Sequence, residues 1–420
     1  MSRRATAAVL IAWSLLAIGD SAHAGYYSTF GLVCILLGFA TVLGVVAFRL
    51  PLVAPDRNLL VVPALVCLVL AIINPTKRYL YLAGRDLHAI EALSIATATA
   101  VALTLLAGER WQRAAWSVVL SLAAATGIVT IVLINDPNID VWVILQQSAT
   151  GLLHGKDMYR QHWVGSTGLQ NAYPYLPGST LLLAPFRWLF GDVRYGLLVA
   201  SLLGAWLLRR FGATRVAALP ALIFVVPGWV YLVNRSWTEP LLVVLLAAAI
   251  LAIRSGRTTL AVVAFALALA SKQHVVLLLP LFALWPSFGL RRTASSVGLA
   301  ILVVAPWVIA GPRDFWHDAV HANLSLGAET KALNLQALLL RHNVTVGFWF
   351  LAVFMLAAYA VVLWRAPRTP SGLALSGAVV MWTFDLANSQ TFFNHYILPI
   401  GLVVIALATA DADSSAQPVS

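Results

Sequence analysis

The sequence reads as an all-α polytopic membrane protein, and three observations predict that class. Of its 420 residues, 61% are hydrophobic and only 10% are charged, with a mean hydropathy of +0.87. A soluble domain carries about 25% charged residues, so a soluble fold is excluded. The apolar residues fall in long runs divided by arginines and turn-forming residues. The two cysteines, Cys34 and Cys67, lie inside such runs, where a thiol is a small packing residue. Two cysteines cannot staple so long a chain, which excludes a disulfide scaffold. The net charge of +11 is scattered, with no dense basic stretch and no soluble module, so no nucleic-acid partner is expected.

Taking roughly 20 residues per crossing, about fourteen spans follow in order. They lie near 5–19, 28–48, 58–74, 88–107, 115–134, 195–208, 216–233, 240–253, 258–270, 275–288, 294–310, 346–364, 371–388 and 395–409. The first follows Arg3-Arg4 without a small-residue cleavage site and reads as an uncleaved anchor. The stretch 178–190 is short and interrupted by Pro185 and Arg187. Parity decides its placement. If it does not cross, one side receives Arg3, Arg4, Arg49, Arg57, Arg110, Arg113, Arg209, Arg210, Arg215, Arg254, Arg257, Arg291, Arg292, Arg365 and Arg368, as short cytoplasmic loops should. It is therefore placed as a juxtamembrane or re-entrant element.

That topology also sorts the chemistry. The cytoplasmic side keeps Asp56, Glu109, Asp411 and Asp413 and no histidine, and every histidine falls on or near the opposite face. The outer face carries the two long loops, 135–177 and 311–345, with interfacial helices expected in the first. Residues 1–114 form N-terminal helices of unassigned role, 115–410 the catalytic transmembrane domain, and 411–420 a cytoplasmic tail.

In the first long loop, Asn135-Asp136-Pro137-Asn138 reads as a turn. From Asp140 a helix should run to Leu153, too short and too polar to span, and close at His154-Gly155. Tyr159 and the rigid turn Tyr173-Pro174-Tyr175-Leu176-Pro177 follow. With Ser271-Lys272-Gln273 and the segment Asn334 to Arg341, this pattern resembles the GT-C superfamily of membrane glycosyltransferases. Within it, the pattern is similar to α-mannosyltransferases that use polyprenyl-phosphate-mannose. The split of the double proline by Tyr175-Leu176, Leu335-Gln336 in the later motif, and the extra spans before Asp140 depart from the family pattern.

The resemblance implies an inverting transfer from a polyprenyl-phosphate-sugar to a hydroxyl of a glycolipid or cell-envelope glycan, on the extracytoplasmic face of a bacterial inner membrane. Such a reaction needs a base for the acceptor proton, cations for the leaving phosphate and an apolar place for the lipid tail. Asp140 is the expected base; as a bland alternative it caps its helix. Lys272, Arg341 and His342 are the expected phosphate contacts, against snorkelling or interfacial anchoring. Tyr159, Tyr173, Tyr175, Glu239, His274, Asn334, Asn394 and His395 are candidates for sugar or acceptor binding, with helix capping the alternative for Glu239. Asp385, inside an apolar stretch, must be paired or line a wet cavity. No metal and no other cofactor is called for, and a monomer among membrane lipids is expected. The competing classes are a lipid or glycolipid transporter or flippase, which would spread polar residues over both faces, and a lipid-linked-oligosaccharide ligase or polymerase.

Overall fold

The computed structural model describes residues 2–73, 85–165, 172–212, 219–225 and 228–411. Its helices are α1 (Ser2–Ser21), α2 (Thr29–Ala47), α3 (Val61–Ile73), α4 (Arg85–Leu106), α5 (Glu109–Leu133), α6 (Asp140–Leu153), α7 (Pro177–Phe190), α8 (Arg194–Phe211) and α9 (Trp229–Asn234). They continue with α10 (Glu239–Arg254), α11 (Thr258–Ser271), α12 (Leu279–Leu284), α13 (Gly289–Ala310), α14 (Leu335–Arg341), α15 (Phe348–Arg365), α16 (Pro370–Ala387) and α17 (Phe393–Thr409). No strand occurs among the described residues.

Six of these stretches are long and apolar enough to cross a bilayer alone: Ser2–Gly25, Thr29–Ala47, Asp86–Leu106, Arg110–Leu133, Gly289–Ala310 and Phe348–Arg365. Others are apolar but shorter, such as α11 and α17. The expected span at 216–233 is not one helix: a 3₁₀ turn, Leu219–Val225, and the six-residue α9 stand where it was placed, and residues 216–218 and 226–227 lie outside the described set. The span expected at 275–288 is likewise a 3₁₀ turn, Gln273–Leu278, followed by α12, whose Pro280 suits the first turn of a helix and not its interior.

The two ends of the bundle differ in chemistry. At one end Arg3 pairs with Asp56 at 2.6 Å, Arg254 with Asp411 at 3.1 Å, and Arg49 donates to the Trp364 carbonyl. The opposite end holds the loops that join α5 to α7 and α13 to α15. Every buried charged side chain among the described residues lies at this second end: Asp20, Asp192, Arg194, Arg235, Glu239, Asp318 and Asp385.

α7 does not cross. Its first turn docks on the C-terminus of α11, where Ser179 Oγ and the Leu176 amide donate to the Ser271 carbonyl, at 2.8 Å and 3.3 Å. These bonds satisfy a carbonyl that a helix end leaves open. Its other end turns through Gly191 (φ +83°) and meets α8 at 113°. There it lies beside the ends of α5 and α9, again at the loop-bearing end.

One large apolar core unites the N-terminal and C-terminal helices, drawing Trp13, Leu16 and Ile35 together with Trp382, Val403 and Leu407. A second, smaller core belongs to the first long loop and its cover, with Ile144, Leu145, Met158, Tyr159, Tyr173, Leu183 and Ala319.

Candidate active site

α6 begins at Asp140, as the sequence predicts, and ends at His154 followed by Gly155 in a left-handed turn. It lies against α7 and the bend after it through polar rungs. Ser148 meets Thr180 at 2.7 Å, Trp188 donates to the Ala149 carbonyl, and Arg187 donates to Thr150. Gln146 donates to the Gly191 carbonyl and accepts from the Val193 amide. Such rungs fix the helix in place at the loop-bearing end, where propensity alone would leave a 14-residue helix marginal. Asp140 stands in its first turn, half-buried, where the helix dipole favours a negative charge. Its Oδ1 accepts from the adjacent Val141 amide at 2.8 Å, so it does not cap the helix in the usual way, and it makes no ion pair among the described residues. Asp136 closes the preceding turn by accepting from the Asn138 amide.

The charged centre of this end is a pair that the sequence places 33 residues apart. Lys272 sits in extended backbone between α11 and the 3₁₀ turn, and from that break its Nζ reaches Glu239 Oε1 at 2.6 Å. Glu239 opens α10 but does not cap it; its carboxylate faces inward and also accepts from Asn394 Nδ2 at 3.1 Å, while Oε2 has no partner. His395 Nδ1 lies 3.8 Å from Asp385 Oδ1. His274 places its ring 6.0 Å from that of Phe384. Asp20 of α1, fully buried with neither carboxylate oxygen partnered, lies within electrostatic reach of Asp385. Asp385 is thus neither alone nor conventionally paired, since its Oδ2 has no partner.

Tyr175 stands beside this centre. Its ring centroid is 5.9 Å from Lys272 Nζ. Burial first, then the Glu239 and Asp140 carboxylates, push its phenol well above the ordinary tyrosine range. The turn that carries it is held from three sides. Tyr159 donates to the Tyr175 carbonyl at 2.8 Å, and Gln273 and Asn323 both donate to the Pro174 carbonyl. The Tyr173 amide donates to Asp318 at 2.8 Å. Tyr173 is itself fully buried, with its hydroxyl 2.6 Å from that of Thr180. Tyr159 and Tyr173 therefore shape the turn from behind.

Other predicted residues lie apart from this centre. Asn334 caps α14, accepting from the Ala337 amide and donating to the Asn388 carbonyl. Arg341 is exposed, with its guanidinium 4.2 Å from the centroid of the Tyr27 ring and its Nε donating to the Thr330 carbonyl. His342 is exposed beside it. Sequence reasoning did not single out Asp20, Asp192, Arg194 or Asp318. Asp20 and Asp318 carried a legible signal, an acid at the edge of an apolar run or within an aromatic stretch.

Beside the charged centre lies an apolar cavity of about 500 Å³ between α11, α12 and α13. Leu176 and Gln273 line it together with Leu269, Val297, Ile301 and Val304. Both Leu176 and Gln273 are chain neighbours of residues in the charged centre, Tyr175 and Lys272.

The fold and site define a helical, multi-pass membrane protein whose charged cluster and apolar cavity are lined by adjacent residues of the chain. No family model matches the chain, and no curated protein matches it in sequence. Among solved structures it is similar to the crystal structure of ArnT from Cupriavidus metallidurans bound to undecaprenyl phosphate, with 17% identity and a TM-score of 0.47. The likeness covers 69% of this chain and 59% of that one.

Proposed function

We propose that the chain is a GT-C-type glycosyltransferase that moves a sugar from a polyprenyl-phosphate donor to a hydroxyl of a lipid-linked or cell-envelope glycan. The sequence resemblance favours mannose. The observation that carries the reading is one half-buried ammonium, Lys272, paired with the buried Glu239 carboxylate and next in the chain to Gln273, which lines an apolar cavity of about 500 Å³. A lipid-borne phosphate needs both features at once: a dry channel for the tail and a cation where the headgroup ends. The confinement of buried charge to one end disfavours a transporter, which would need polar groups along a route from face to face.

In this reading the acceptor oxygen attacks C1 of the donor sugar from the side of Asp140. The new C1–O bond forms as the bond from C1 to the phosphate oxygen breaks, and that electron pair leaves on the polyprenyl phosphate. The acceptor proton passes to the Asp140 carboxylate, which no cation of the described residues holds. Lys272 stabilises the charge that builds on the leaving phosphate. It is favoured over Arg341 for this role, because Arg341 is exposed and held against Tyr27 and Thr330, apart from the Glu239 cluster. One attacking group and one base suffice for inversion. The reaction side is the extracytoplasmic face of a bacterial inner membrane, since the opposite end carries the short arginine-bearing connections.

The test is transfer of radiolabelled mannose from polyprenyl-phosphate-mannose into a lipid-extract acceptor pool by the purified, reconstituted protein. Asp140→Ala and Asp140→Asn should each lower turnover by about 10²–10⁴-fold, the usual contribution of a general base. Lys272→Ala should weaken donor binding. Undiminished transfer by folded Asp140 variants removes that residue as the base, and unchanged donor affinity in Lys272→Ala removes the phosphate assignment.

A further inference from the structure

We propose that the buried Asp192–Arg194 pair is a positioning device that sets where Asp140 points. The proposal rests on the reading of Asp140 as the base. Arg194 is fully buried at the bend between α7 and α8. Its Nη2 lies 2.7 Å from Asp192 Oδ2, and its Nε lies 3.0 Å from both carboxylate oxygens. The remaining valences of the guanidinium reach outward to other segments. Nη1 donates to Asn234 Oδ1 and Nη2 to the Ile131 carbonyl, each at 3.3 Å. Trp142, two residues after Asp140, closes the arrangement. Its indole N–H points at both Asp192 oxygens at 3.4 Å, and the Arg194 guanidinium carbon sits 5.6 Å from its ring centroid.

Three segments that bear or adjoin the proposed chemistry thus meet on one pair. α5 delivers the chain to the Asp140 turn, the first turn of α6 carries Asp140 and Trp142, and Asn234 ends α9 five residues before Glu239. A charge buried this deeply is costly unless it is fully paired and bonded. A pair used only to brace the α7–α8 bend would not need to reach α5, α6 and α9. Only a planar, forked cation can hold a carboxylate on one edge and two oxygens of other segments on the rest, so lysine is not an equivalent. The geometry ties the direction of Asp140 to the position of the Glu239–Lys272 centre.

The test compares Arg194→Lys and Trp142→Phe with the unaltered full-length protein in lipid nanodiscs. Two measurements are made: hydrogen exchange of the amides at 140–144, and transfer kinetics from polyprenyl-phosphate-mannose. Trp142→Phe keeps the ring under the guanidinium and removes only the N–H, so it covers the case in which Arg194→Lys fails to fold. The expected result is exchange at 140–144 faster by tenfold or more, with kcat reduced on the order of 10- to 100-fold and donor KM unchanged, as a misdirected catalytic group gives. Exchange that stays at the unaltered rate overturns the proposal. So does faster exchange with full kcat in a protein whose Asp140→Ala variant is inactive. If Asp140→Ala retains full turnover, the assignment of the base fails by itself, and the exchange data then show whether the pair holds α6.

Discussion

At the residue scale the centre is built from groups that the sequence displays singly and the fold brings together. Lys272 and Glu239 are legible as polar residues at the margins of apolar runs, but their 2.6 Å contact depends on a helix break that no periodicity announces. Capping was the bland expectation for Glu239, and its inward turn shows why such an expectation fails. A half-buried ammonium nearby competes for the carboxylate more strongly than backbone amides that other groups can satisfy. Asp318 makes the same point in the second loop. It accepts from the Tyr173 amide and lies 2.8 Å from His317 Nδ1, and burial, the largest influence on it, still raises its carboxyl above the ordinary value. A raised acid holds its proton more tightly folded than unfolded. Docking of segment 312–324 is therefore firmest below about pH 4, the ordinary carboxyl range, and weakens as pH rises through the raised value. Proteolysis of this segment at a series of pH values should show that trend, and Asp318→Asn should flatten it.

At the element scale the sequence foretold α6 closely, because an acid at its start, a mixed apolar and polar face, and a histidine-glycine close are all local signals. The same reading failed at 216–233 and 275–288. Hydropathy averages over a run and does not see a 3₁₀ turn or a proline-started restart inside it. The contact of α7 with α11 is close enough to test. A Cβ on Gly178 would stand 2.6 Å from the Ala270 carbonyl oxygen, and no flexible side chain is there to yield. Gly178→Ala should cost about 1–3 kcal/mol, the range for overpacked sites. It should be read as a lower melting temperature of the purified protein, with a larger loss of transfer activity because Lys272 lies two residues beyond Ala270. An unchanged melting temperature would show that the α7–α11 seam can open without cost.

At the scale of the whole molecule, the separation of an arginine-bearing end from an end with buried charge was legible from parity alone, since loop composition survives any error of a few residues in the spans. The union of α1 and α2 with α16 and α17 was not, because the residues that touch are separated by most of the chain. Gly38 meets Trp382, and Asp20 shares its surroundings with Asp385. The N-terminal helices thus place a buried carboxylate, Asp20, within electrostatic reach of Asp385. A periplasmically active reporter inserted after Gly155, and a cytoplasmically active one after Asp411, should both function in bacterial cells. Activity with the two reporters exchanged would reverse the proposed orientation.

The shortness of α11 has one more consequence. Its 14 residues rise only ~21 Å at 1.5 Å per residue, against a hydrocarbon layer of about 30 Å. The helix is thus too short to reach across such a layer alone, and the chain turns extended at Lys272 where it ends. Lipids beside α11 must compress or tilt to match it, each ångström of mismatch costing a fraction of a kcal/mol. In the proposed reaction, such thinning would let a donor headgroup meet Lys272 without the polyprenyl chain having to rise out of the oil.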